Sequence, residues 1–139
     1  MKHLLRTASF RCLPIVLLAV ATPARAQAPA PSPSDFYMQY RKAFDAAKTI
    51  DEVLPFMANA MRKEIEATPA AERPQMFEMI KMMSTLTNVR IAKETPTAKG
   101  ATLTVDAIDA DKARTTGIVE IVKENGVWKL ANESWGSRP

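Results

Sequence analysis

The 139-residue sequence holds one cysteine, one histidine and four glycines, and none of its apolar runs approaches 20 residues. Each scarcity excludes something. Cys12 and His3 both fall within residues 1–26, which read as a cleavable export signal. Lys2, Arg6 and Arg11 give a positive start, Cys12 to Ala21 is apolar, and Ala24-Arg25-Ala26 offers small residues at both positions a signal peptidase reads. The cut is expected before Gln27. About ten apolar residues interrupted by Pro14 fall short of the roughly 20 that a bilayer crossing needs. The segment is therefore read as a leader and not as an anchor, with no membrane contact after cleavage. Cys12 precedes the apolar stretch, so it is misplaced for a lipidated cysteine, and without a twin-arginine pair the general secretion route is expected. The expected location is periplasmic or secreted.

Without the leader the chain has no thiol and no imidazole. Disulfides, cysteine–histidine zinc sites, Ser-His-Asp triads and Cys-His dyads are then excluded by composition. The leader also contains four bases (Lys2, Arg6, Arg11, Arg25) and no acid, leaving 15 bases against 15 acids. That balance gives no reason to expect nucleic acid or an anionic membrane as a partner. The glycines Gly100, Gly117, Gly126 and Gly136 read as turns, bends or ends; they form no phosphate-binding loop, and no cofactor is expected.

What is present is organised helix first, strand second. Residues 27–34 form a Pro/Ala/Ser linker expected to be disordered, followed by a single domain over 35–139. Ser34 reads as a helix cap. Phe36, Tyr37, Tyr40, Ala43, Phe44 and Ala47 then share one face of a helix ending near Lys48, with Arg41, Lys42 and Asp45 outside it. Thr49-Ile50-Asp51-Glu52 has capping-box spacing and starts a short helix disturbed by Pro55. Asn59 recaps a segment through Ala67. A third helix begins between Glu72 and Gln75 and runs to about Ser84. After Thr87 the apolar period becomes two: Val89 and Ile91, then Leu103, Val105 and Ala107, then residues 115–124 and 127–135. Asn125-Gly126 is a type I′ hairpin signal. An unbroken ladder from that turn pairs Ile121 with Leu130, Val119 with Asn132 and Lys123 with Trp128 on the helix-facing side. It pairs Val122 with Lys129, Glu120 with Ala131 and Ile118 with Glu133 on the other. The expected fold is α+β, with N-terminal helices packed on a curved four-stranded antiparallel sheet in a cone-like arrangement.

The hairpin from Gly117 to Leu130 with Glu133-Ser134-Trp135, together with the run from Asp51 to Met57, resembles small exported bacterial domains of the nuclear transport factor 2-like superfamily. The resemblance covers most of the chain after the leader. It implies a cone whose sheet wraps the helices around a pocket, often dimeric through the sheet. Its members include ketosteroid isomerases, dehydratases, polyketide cyclases and non-enzymatic binding domains, among which fold alone does not choose.

Three constellations carry chemistry. The first is a pocket lined by Tyr37, Tyr40, Trp128, Asn132 and Ser134, suited to a small apolar ligand. General acid–base work there would need an acid facing the pocket, and the ladder turns none inward: Glu120 and Glu133 fall on the outer face beside Lys129. A non-enzymatic binding domain is the favoured reading; a carboxylate within hydrogen-bond reach of Tyr37 or Tyr40 would favour an isomerase- or dehydratase-type enzyme instead. The second is the outer sheet face, where Ile118, Val122, Val127 and Ala131 suit a protein partner or a second copy of the chain. The third is a methionine set. Met76, Met79 and Met83 share a helix face with Ile80 and Leu86, which reads as core filling, with monovalent copper as the alternative; Met82 falls toward the polar side.

Overall fold

A computed structural model of the chain describes residues 30–137. The leader expected over residues 1–26, and residues 27–29 of the linker, lie outside the described residues. The helix start is corrected by two residues. Helix α1 (Pro33–Ala46) is capped by Ser32, not Ser34. The Ser32 hydroxyl accepts from the Asp35 backbone N–H at 3.1 Å, and the Asp35 carboxylate accepts from the Ser32 N–H at 3.2 Å. This reciprocal capping box recruits Ser32 and Pro33 from the expected linker, with proline in the first turn, where its missing N–H costs nothing. Ser34 instead donates from both its backbone and its hydroxyl to Glu94.

Two 3-10 turns follow, Ile50–Glu52 and Leu54–Phe56, the second started by Pro55 at its second position. Helix α2 (Asn59–Ala67) has no local side-chain cap. Its first N–H instead donates to both oxygens of Glu124, at 3.0 and 3.1 Å, so a strand carboxylate caps the positive helix end. Helix α3 (Arg73–Met83) begins with Pro74 in its first turn, as expected. Lys81 near its end donates to the carbonyls of Ala47 and Asp45 at 2.7 and 3.2 Å, satisfying the open C-terminus of α1.

The sheet is an antiparallel meander, β1 (Thr87–Pro96), β2 (Gly100–Ile108), β3 (Arg114–Glu124) and β4 (Val127–Ser137), with neighbours in chain order. Asn125 and Gly126 adopt φ of 51° and 79°, the positive values the β3–β4 turn requires. Along β2 and β3, burial alternates. Ala101, Leu103, Val105, Ala107, Val119 and Ile121 are buried, and Leu103, Val105, Val119 and Ile121 share one core with Tyr37, Phe44, Val53, Phe77 and Leu130. The molecule is therefore α+β, with helices on one face of a four-stranded antiparallel sheet.

The expected β3–β4 register holds for four pairs, beginning with Glu124 and Val127, and then breaks. Lys123 faces Trp128, Val122 faces Lys129 and Ile121 faces Leu130. Beyond them Glu120 faces Asn132, Val119 faces Glu133 and Ile118 faces Ser134, with a register shift between Glu120 and Ile121. One extra residue, Ala131, is accommodated in β4, and such a bulge reverses the facing of everything after it. Glu133 and Trp135 thereby turn to the helix side, while Asn132 and Ser134 turn out. Gly117 sits opposite Trp135, and a Cβ there would lie 2.9 Å from the indole ring. This glycine clears space for an aromatic ring within a strand, rather than marking a turn or an end.

Candidate functional site

The bulge delivers a carboxylate to the base of α1. Glu133 is 13% exposed at its side chain, and its Oε1 accepts from the Tyr37 hydroxyl at 2.9 Å and the Trp135 indole N–H at 2.8 Å. Arg41 Nη1 stands 3.6 Å from the same oxygen. Arg41, expected on the wet side of α1, is buried, with its side chain only 4% exposed. Its Nη2 donates to Asp45 Oδ1 and to the Ser84 carbonyl, both at 3.2 Å, and its guanidinium lies 5.1 Å from the Phe44 ring centroid. Its Nε is buried without a hydrogen-bond partner. A buried guanidinium needs compensating charge, and Glu133 with Asp45 supplies it.

The two tyrosines feel this cluster. Burial pushes the Tyr37 hydroxyl well above its ordinary value, with the Glu133 charge adding to the effect and Arg41 opposing it. Burial likewise raises Tyr40, again with Glu133 adding and Arg41 opposing. Both phenols stay protonated donors across any ordinary pH.

Beside the cluster lies a cavity of about 220 Å³ between the helices and β4. Tyr40, Arg41 and Phe44 line it from α1, Met61 and Ile65 from α2, Ile80 from α3, and Leu130, Glu133 and Trp135 from β4. Its walls are mainly apolar, and its polar side is the Tyr40–Arg41–Glu133 group with Ser84. That combination, apolar enclosure with a few convergent polar groups, is the usual character of a small-molecule site.

Of the pocket residues expected from sequence, Tyr37 and Tyr40 belong to this site. Trp128 does not. It lies at the hairpin end of β4, where its indole N–H donates to the Pro31 carbonyl at 2.8 Å and Lys123 Nζ stands 4.5 Å from its ring centroid. There it lines a separate apolar groove of about 380 Å³ with Phe36, Pro55 and Phe56. Asn132 and Ser134 are exposed on the opposite sheet face, because the bulge turned them out. The methionines are redistributed too. Met76 is half-buried, its sulfur accepting from the Thr68 hydroxyl at 3.6 Å. Met79 and Met83 are exposed, while Phe77 takes the buried position of α3.

Sequence reasoning missed Glu133, Arg41 and Trp135, and one signal could have found two of them. Leu130 and Trp135 are five residues apart. In an unbroken strand an odd separation puts two large apolar residues on opposite faces, so burying both demands a bulge between them. Glu133 follows Trp135 inward because it is two residues away. For Arg41 no local signal exists; its burial depends on Glu133.

Among the described residues no helix is long and apolar enough to cross a membrane, and no group of three His, Cys, Asp or Glu is placed to hold a metal ion. The chain matches no protein-family model, no curated protein and no solved structure, so what this site does must be argued from its own geometry.

Proposed function

We propose that this chain is an exported binding domain, cone-like in the manner of the nuclear transport factor 2-like superfamily, that holds a small, mostly apolar molecule between its helices and β4 without transforming it. The observation that carries this reading is the cavity of about 220 Å³ bounded by apolar side chains from all three helices and closed on one side by Tyr40, Arg41 and Glu133. Sealed apolar cavities of about 150 Å³ admit a benzene ring, so this half-open pocket has volume enough for a single ring. Support for a cone comes from the register shifts in both the β1–β2 and the β3–β4 ladders, since bulges bend the strands that carry them.

A ligand in the cavity accounts for more of the molecule than a partner on the sheet. The outward turn of Asn132 and Ser134 places polar residues beside Ile118, and Thr102, Thr104, Thr116 and Glu120 share that face. Such a surface resembles an ordinary wet sheet face more than an interface core, where charged and small polar groups are depleted.

The second reading, an enzyme of isomerase or dehydratase type, is favoured by one specific contact: the Tyr37 hydroxyl 2.9 Å from a largely buried carboxylate. Distance alone would promote it. Against it stands the company Glu133 keeps. Oε1 already takes two donors with a guanidinium beside them, which leaves only the second carboxylate oxygen to accept a proton from a substrate. The group has the character of a structural anchor.

Native mass spectrometry of the protein purified from its own host tests both readings. The binding reading expects a chain cleaved near Ala26 that carries a small organic molecule, with Ile65→Trp, which fills the cavity, purifying empty at an unchanged fold. An empty wild type that also fails to bind single-ring aromatics would overturn it. Conversion of the bound molecule to an isomeric or dehydrated product by wild type and not by Glu133→Gln would establish the enzyme.

A further inference from the structure

Helix α3 is packed by Phe77, which is fully buried, with Met76 and Ile80 half-buried beside it. Met79, Met82 and Met83 have no share in that packing and are 53%, 70% and 78% exposed. Three large apolar side chains gathered on one short stretch of surface need a reason. Their spacing supplies one: Met79 neighbours both Met82 and Met83 across one helical turn, with about 5–6 Å between Cβ atoms. Unbranched thioethers on long rotatable stems can close such a triangle around one ion.

The electrostatics of the turn agree. Met82 and Met83 end α3 at the negative pole of the helix, which favours a cation and which Arg41 meets on the buried side, at the Ser84 carbonyl. The one cationic side chain among residues 78–83, Lys81, is drawn off. Its Nζ is held by the Ala47 and Asp45 carbonyls and lies 5.6 Å from the Phe77 ring centroid, on the packed side of the helix. Glu78, exposed, precedes Met79 and adds negative charge to the same stretch.

We infer that Met79, Met82 and Met83 form an open, all-thioether site for a soft monovalent cation, namely copper in its reduced state. Neutral sulfur ligands suit a soft ion of low charge, whereas divalent zinc, magnesium or calcium prefer nitrogen, carboxylate or thiolate donors that this triangle lacks. The site is independent of the cavity, and it differs from the set that helical periodicity alone selects, since Met76 belongs to the core and Met82 replaces it.

Anaerobic titration of the exported protein with monovalent copper against a chromophoric chelator, with silver as the probe for methionine-methyl NMR, tests it. One ion per chain is expected, with the methyl signals of Met79, Met82 and Met83 shifting and those of Met57 and Met76 unmoved. Each single methionine-to-leucine change at the three positions should weaken binding at least about tenfold, or about 1.4 kcal/mol. The triple variant should not bind, and because all three side chains are exposed it should melt like wild type. Met76→Leu should bind normally. Absence of binding to wild type, or undiminished binding by the folded triple variant, would overturn the site.

Discussion

Glu133 is the residue on which the polar side of the core turns. Replacing Tyr37 by Phe removes one neutral donor and leaves the carboxylate its indole and guanidinium neighbours. A loss of about 1 kcal/mol in urea unfolding is expected. Glu133→Ala strips Arg41 of its inward counter-charge while Asp45 remains on the outer side, and should cost about 3 kcal/mol, the low end for breaking a buried pair. Equal losses for the two variants would show that the ion pair contributes nothing beyond one hydrogen bond. The tyrosines give a pH prediction whose sign is determined by burial. Both hydroxyls are raised from the ordinary value of 10.0, so the unfolded chain releases these protons before the folded one does. Their contribution is complete below pH 10 and is lost as pH climbs above it. Since the chain has only these two tyrosines, ultraviolet titration should show no tyrosinate step near pH 10, and the step should coincide with alkaline unfolding. A normal step in the folded protein would contradict the burial of both rings.

At the scale of elements, the bulge in β4 and the glycine opposite it act as one unit. Gly117→Ala would press a methyl group into the Trp135 ring and should cost about 1–3 kcal/mol by overpacking. Trp135→Ala should relieve that added cost, so the double variant is expected to be less damaged than the two single changes summed; strict additivity would mean the ring does not rest on Gly117. Here too lies the boundary of what could be read beforehand. The start of α3 at Pro74, the hairpin at Asn125-Gly126 and the four strands were legible because each rests on local chemistry: a proline, a positive φ, an alternation of two. The inner face of α1 was legible in its aromatics and not in Arg41, whose burial is decided by a partner 92 positions away in the chain. The facing of Asn132, Glu133 and Ser134 was lost to a single extra residue, since a period-two pattern carries an error in register to every residue beyond it. Helix α3 misled for another reason. Its methionines, Phe77 and Ile80 make nearly every face apolar, so periodicity alone could not say which side was packed.

For the whole molecule, the two faces of the sheet divide the labour. One is covered by helices and holds the cavity; the other carries mainly threonine, glutamate, asparagine and serine, with Ile118 and Val127 as exposed large apolar residues. If copies of the chain associate through that face, Ile118→Lys should shift the sedimentation profile to the monomer. If the profile does not change, the sheet is simply solvated. The two tryptophans sit toward opposite ends of β4, and this has a practical consequence. Trp135 borders the cavity and is bonded to Glu133, whereas Trp128 is bonded to the carbonyl of Pro31, where the chain enters its first helix. The protein therefore carries two built-in optical gauges that can be separated by one substitution each. With Trp128→Phe, the remaining emission should change colour when a guest occupies the interior. With Trp135→Phe it should ignore the guest and respond when the segment around Pro31 is cut away.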